Sequence, residues 1–185
     1  MVIATKQPID VNLNTQLNLT LFAVPKPFYG HTGVMQRNAI ASWTKLEPKP
    51  EILLFGDEMG TAEIAQEFSL RQIPNIKCNV SGTPLLDDIF QQAHQLATHR
   101  ILAYVNADII LLNDFLSSVE QVATNFGEFL LVGRRWNLDL TEEINFINPD
   151  WKTTVRAEAL ERGVCNSVYG MDYFVFPRPL FSDLP

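Results

Sequence analysis

The chain has 185 residues, of which 46% are hydrophobic and 19% charged, and it carries a formal net charge of −7. This length and apolar content suit a single folded domain and exclude a disordered chain. The acidic balance excludes a general nucleic-acid binder, which needs a basic face for the phosphate backbone, but it leaves a small anionic ligand open.

Short apolar runs alternate with helical patterns, which predicts an α/β fold with a mainly parallel sheet. Residues 17–24 give the first strand, closed by Pro25, Lys26 and Pro27. A helix follows, with Val34, Ala39, Ile40, Trp43 and Leu46 near one face. Residues 51–55 (EILLF) form a second strand that ends in Gly56, Asp57 and Glu58. Thr61 then caps a short helix reaching Phe68, and residues 76–80 make a third strand. Thr83 caps the next helix with Pro84 at its first position, where the missing N–H costs nothing. Its apolar stripe is Leu85, Leu86, Ile89, Phe90, Ala93, Leu96 and Ala97, with Asp87, Asp88, Gln91, Gln92 and Gln95 on the other side.

Residues 101–105 (ILAYV) are wholly apolar, as befits a central parallel strand covered on both faces. An amphipathic helix with Phe115, Leu116, Val119, Val122 and Ala123 comes next, then a strand over residues 129–132 that runs into Gly133, Arg134, Arg135 and Trp136. A looser region holds Trp151 and a helix over residues 153–161. Residues 170–177 (GMDYFVFP) form the closing strand, preceded by glycine and stopped by proline.

Cys78 and Cys165 are too few for a disulfide framework and lie in no Cys/His cluster, so both are expected as small buried apolar residues. The first twenty residues lack the apolar core of a secretory signal, and no run is long enough to span a bilayer. A cytoplasmic protein without a transmembrane segment is expected.

In an open parallel sheet, ligands bind outside the carboxyl ends of the strands. Lys26, Asp57, Asn106, Asp108, Arg134 and Arg135 all follow such ends. Asp108 interrupts an apolar run, which suits either a turn carboxylate or a ligand for a divalent cation bridging to a diphosphate. Asp57 suits either a turn or a ribose hydroxyl, and Arg134 and Arg135 either solvent or a phosphate. The three histidines show no metal-ligand spacing. The hydrolase elbow G-x-S-x-G, the P-loop and the G-x-G-x-x-G fingerprint are all absent from the sequence.

At residues 104–110 (YVNADII) the sequence resembles the GT-A-fold nucleotide-diphospho-sugar transferases, a superfamily of glycosyltransferases. Residues 21–28 (LFAVPKPF), 52–58 (ILLFGDE) and 170–176 (GMDYFVF) resemble, in order, that superfamily's first and second nucleotide-binding strands and its acceptor-side strand. The resemblance implies a three-layer Rossmann-like domain binding a UDP- or GDP-sugar through Mg²⁺ or Mn²⁺ and transferring the sugar to an unidentified acceptor. It places Asp108 as the metal ligand. Val24, Pro25, Lys26, Asp57, Asn106, Ala107 and Arg134 fall around the donor, and Asp172 near the donor sugar or acceptor as the one candidate base. Asn106 stands where these proteins carry the first acid of an Asp-x-Asp motif. The sequence ends at Pro185, soon after the acceptor-side strand, so a single domain over residues 1–185 without the C-terminal acceptor segment is expected. Two rivals stay open: a sugar nucleotidyltransferase, and a non-catalytic binding domain that has kept the fold.

Overall fold

A computed structural model describes residues 2–5, 17–167 and 169–181. Residues 6–16, part of the first twenty read above, lie outside them. In chain order the elements are β1 (Val2–Thr5), β2 (Leu19–Ala23), α1 (Gly30–Trp43), β3 (Glu51–Phe55), α2 (Thr61–Phe68), β4 (Arg71–Ile73) and α3 (Leu86–Leu96). They continue with β5 (Ile101–Val105), α4 (Asn113–Asn125), β6 (Glu128–Gly133), β7 (Trp136–Asn137), α5 (Trp151–Arg162), β8 (Val164–Cys165) and β9 (Tyr173–Pro177), closed by a 3₁₀ turn at Arg178–Phe181.

Seven strands form one mixed sheet in the order β1-β6-β9-β5-β2-β3-β4. β2, β3, β4 and β5 pair in parallel, whereas β9 runs antiparallel between β5 and β6 and so leaves β6 pointing the same way as β5. β1 is antiparallel to β6 at the far edge. The sheet is therefore mainly parallel in direction, with helices on both faces, an arrangement compatible with a Rossmann-like fold.

Alternation along each strand divides the core in two. Ile101, Ala103 and Val105 of β5 face an aliphatic layer built with Ile40 and Trp43 of α1, Ile64 of α2 and Leu116 and Val119 of α4. Leu102 faces the other way and joins Phe22, Phe55, Phe176 and the α3 residues Ile89 and Ala93. Phe22 makes edge-on contacts with Phe55, Phe90, Tyr104 and Phe176, and Phe90 stacks on Phe176. The central strand is thus apolar because it is covered twice.

The structure corrects several sequence expectations, among them the cap of α2, which is Gly60 without a side-chain cap bond, Thr61 being the first helical residue. The third parallel strand is Arg71–Ile73, not residues 76–80: Asn79 instead accepts from the N–H groups of Ser81 and Thr83 and folds this stretch into a turn. That turn also holds Thr83 and Leu85 by backbone bonds to Asn79 and Lys77, so α3 starts at Leu86 without a side-chain cap. Asp88 is not on the solvent side. It is 6% exposed and accepts from the Lys77 N–H at 2.9 Å and from Gln92 at 2.8 Å, with the Lys77 ammonium 3.2 Å away. Cys78 is exposed on the same turn and Cys165 half-buried at the edge of a two-stranded ribbon, so neither is a core residue.

Candidate functional site

The direction of chain progress changes between β2 and β5. From β2 the chain steps outward to β3 and β4, then returns to the other side of β2 as β5. Loops that leave adjacent strands in opposite senses open a crevice between them, and ligands bind there in doubly wound sheets. A cleft of about 1010 Å³ lies at this point and extends along the rim to the end of β6. Val24 and Lys26 line it from β2, Asn106, Ala107 and Asp108 from β5, and Arg134 from β6.

Three of the residues expected there are elsewhere. Pro25 is buried, and Asp57 is exposed at the end of β3, outside the cleft. Asp172 is 2% exposed beneath the rim, just before β9. Its carboxylate pairs with the Arg135 guanidinium and accepts from the Arg135 N–H at 3.3 Å, while its own N–H donates to Gly133 at 3.1 Å. The carbonyl of Asp172 accepts from the Asn106 N–H at 3.0 Å. Asp172 therefore ties the ends of β5, β6 and β9 together and supports the cleft from below.

Charges that face the cleft fall into two groups. Asp114 pairs with Arg156 at 2.8 Å, and Asp139 lies 3.2 Å from His31. Asp108 is exposed and has no hydrogen-bond or ion-pair partner among the described residues, and the Lys26 ammonium likewise has none. Among the described residues the Arg134 side chain reaches only the Asn166 carbonyl, at 3.5 Å. Among the described residues, the free Asp108 carboxylate, the free Lys26 ammonium and the loosely held Arg134 thus share the rim. Two phenols complete the floor: burial, with the Asp108 charge second, pushes Tyr104 above its ordinary range, and burial with Asp114 does the same for Tyr173. Both stay protonated donors at neutral pH.

The polar side chains that hold these loops come from α1. Gln36, 2% exposed, donates to the Lys26 carbonyl at 2.8 Å and accepts from the Lys26 N–H at 2.7 Å. Asn38, 1% exposed, makes the same two-point pairing with the Glu142 carbonyl and the Ile144 N–H. The Trp43 indole donates to Ile109, and the Ser42 hydroxyl accepts from Leu111. One helix therefore fixes the loops after β2 and β5 and the segment around residues 142–144. The sequence carries one trace of this: Gln36 stands at helical spacing from Ile40 and Trp43, a polar residue in a buried stripe. Asn38 and Ser42 give no such signal.

Glycine is required at two points around the site. Gly60 enters α2 with φ 89°, and a Cβ there would sit 2.7 Å from Phe28 Cβ. Gly133 lies opposite Tyr173, whose ring would be 1.9 Å from an added Cβ. The phenol occupies the space that a side chain on β6 would fill.

Among the described residues, no group of three or more His, Cys, Asp or Glu side chains is placed to hold a metal ion, and no helix is long and apolar enough to cross a membrane. No protein-family model matches the sequence, and no curated protein is significantly similar to it.

Proposed function

We propose that the cleft binds a nucleotide-diphospho-sugar and that the chain is a glycosyltransferase-like domain of the GT-A type. The observation that carries this reading is the position of Asp108, an unpaired carboxylate at the switch point of the sheet that shares one cleft with the unpaired Lys26 and with Arg134. A carboxylate next to a diphosphate is repulsive unless a divalent cation lies between them. Mg²⁺ or Mn²⁺ suits the place, because such ions need only one or two protein carboxylates when phosphate oxygens and water complete the shell. Asp108 would hold the cation, which when bound would stabilise the negative charge on the leaving diphosphate. Lys26 and Arg134 would neutralise the remaining phosphate charge. With a single carboxylate available, the cation is expected to bind with the nucleotide and not ahead of it.

A second reading, donor binding without transfer, is favoured by the carboxylates themselves. Asp172 is engaged with Arg135, Asp114 with Arg156 and Asp139 with His31, so among the described residues no second free carboxylate faces the cleft as a base. Isothermal calorimetry with UDP and GDP, with and without Mn²⁺, tests both. Binding that requires Mn²⁺ and is lost in Asp108→Ala is expected, whereas folded protein that binds neither nucleotide overturns the proposal. Release of free sugar from UDP-glucose or GDP-mannose in parallel samples separates transferase from binding domain.

A further inference from the structure

We infer that Trp136 forms the floor of a second subsite in the cleft, one that takes the apolar face of a sugar ring. The chain has three tryptophans, and two of them are built into the protein: Trp43 is 0% and Trp151 6% exposed. Trp136 is 47% exposed, contacts no other aromatic ring among the described residues and lines the cleft from the β7–β8 ribbon. An indole left open to a concave surface is a large, rigid contact area held at low entropic cost.

Its neighbours on the cleft wall define the ligand. Leu138 and Leu160 add apolar surface to the same cleft, Leu160 being 65% exposed, and Asn137, Asp139 and Arg134 add polar groups to it. A pyranose has this amphipathic pattern, with C–H bonds on one face and hydroxyls around its edge. A hydrocarbon chain would offer nothing to Arg134, whose one contact among the described residues is the Asn166 carbonyl at 3.5 Å. Arg135 holds the ribbon in place by donating through Nε to Asn137 at 2.6 Å while its guanidinium engages Asp172. The cleft volume of about 1010 Å³ lies at the upper end of the range for single ligands, which leaves room beside the Lys26–Asp108 half. The subsite itself rests on the cleft geometry. Its role as the acceptor position, with a carbohydrate as the acceptor class, rests on the donor reading above.

The three indole N–H resonances of isotope-labelled protein provide the test, the Trp136 signal being assigned by its loss in Trp136→Phe. Methyl glucoside, methyl mannoside, methyl galactoside and N-acetylglucosamine are titrated separately, with 1-hexanol as the hydrocarbon control and UDP with Mn²⁺ as the donor control. At least one saccharide is expected to shift the Trp136 resonance selectively, with affinity roughly tenfold weaker in Trp136→Ala and largely retained in Trp136→Phe. No selective shift by any saccharide, or an equal shift by 1-hexanol, overturns the subsite. Saccharide binding without nucleotide binding upholds the subsite and removes its acceptor role together with the donor reading. Nucleotide binding without a saccharide effect leaves the donor reading intact and overturns the inference.

Discussion

The two rims of the sheet are built from similar residues and used differently. At the carboxyl rim, Lys26 and Asp108 face a cleft without partners among the described residues, and Arg134 touches one distant carbonyl. At the amino rim Glu51 and Arg178 are both engaged. Glu51 accepts from the Thr20 hydroxyl at 2.6 Å, the Thr98 N–H at 2.8 Å and the Thr98 hydroxyl at 3.0 Å, with His99 4.0 Å away. The Arg178 guanidinium donates to the Ala97 and His99 carbonyls and closes the return from β9. These contacts fix strand ends at one rim, and leaving charges open at the other keeps them available for a ligand. The contrast predicts that substitutions at the amino rim act on stability, and those at the cleft surface on binding.

The largest effect is expected where this division breaks down, at Asp172. It lies at the carboxyl rim but is buried and fully engaged. Asp172→Ala keeps its backbone bonds but removes the carboxylate that pairs with the half-buried Arg135 guanidinium, accepts from the Arg135 N–H and takes the Asn106 side-chain amide at 3.5 Å, so a loss of about 2 kcal/mol is expected in urea unfolding. If the residue acts by positioning, binding of UDP with Mn²⁺ to the folded variant weakens as the loop around Asn106 loosens. A stability unchanged from wild type, with only turnover lost, would show that Asp172 acts as a free base instead.

Glu51 follows at the opposite rim. Burial pushes its carboxyl up, but the Thr20 hydroxyl and the two Thr98 donors outweigh that and bring it below the ordinary range, with His99 adding to the effect. A carboxyl lowered in the folded state contributes stability that is present above its unfolded value, about pH 4, and is lost as pH falls through the folded value. Glu51→Ala is therefore expected to cost about 1–2 kcal/mol at neutral pH, with a smaller difference from wild type at pH 3. Parallel denaturant melts at the two pH values check this, and nucleotide binding by the folded variant should match wild type.

How far these rims could be read in the sequence depends on the type of signal. Strands covered on both faces, such as Ile101–Val105, leave uninterrupted apolar runs, and Val24, Lys26, Asn106, Ala107, Asp108 and Arg134 could be brought to one edge because strand ends follow from such runs. Short or lateral strands leave little trace. Of the three residues in Arg71–Ile73, Ile73 alone is buried, and a more apolar stretch a few residues later drew the strand assignment there. Asp57 follows a strand end as Asp108 does, and only the strand order shows that β3 lies one place away from the switch point. The Asn38 clamp of α1 was hidden for another reason: a buried Asn has the same letter as an exposed one, and Asn38 finds its partners more than a hundred residues away.

The smallest stability effect is expected at the two groups most exposed in the cleft. Lys26→Ala and Asp108→Ala remove side chains without partners, so each should leave the unfolding free energy within about 0.5 kcal/mol of wild type. Their effects on binding should differ in kind. Lys26→Ala weakens nucleotide binding by about tenfold, equivalent to about 1.4 kcal/mol, and flattens its salt dependence, because an exposed cation acts by screened attraction. Asp108→Ala removes the response to Mn²⁺, and any residual binding becomes indifferent to the metal, since the carboxylate that repels the diphosphate has gone with the ligand that holds the cation. Calorimetry of both variants over a salt series, with and without Mn²⁺, distinguishes these patterns. A substantial loss of stability in either would mean that the carboxyl rim is saturated after all, by contacts equivalent to those around Glu51.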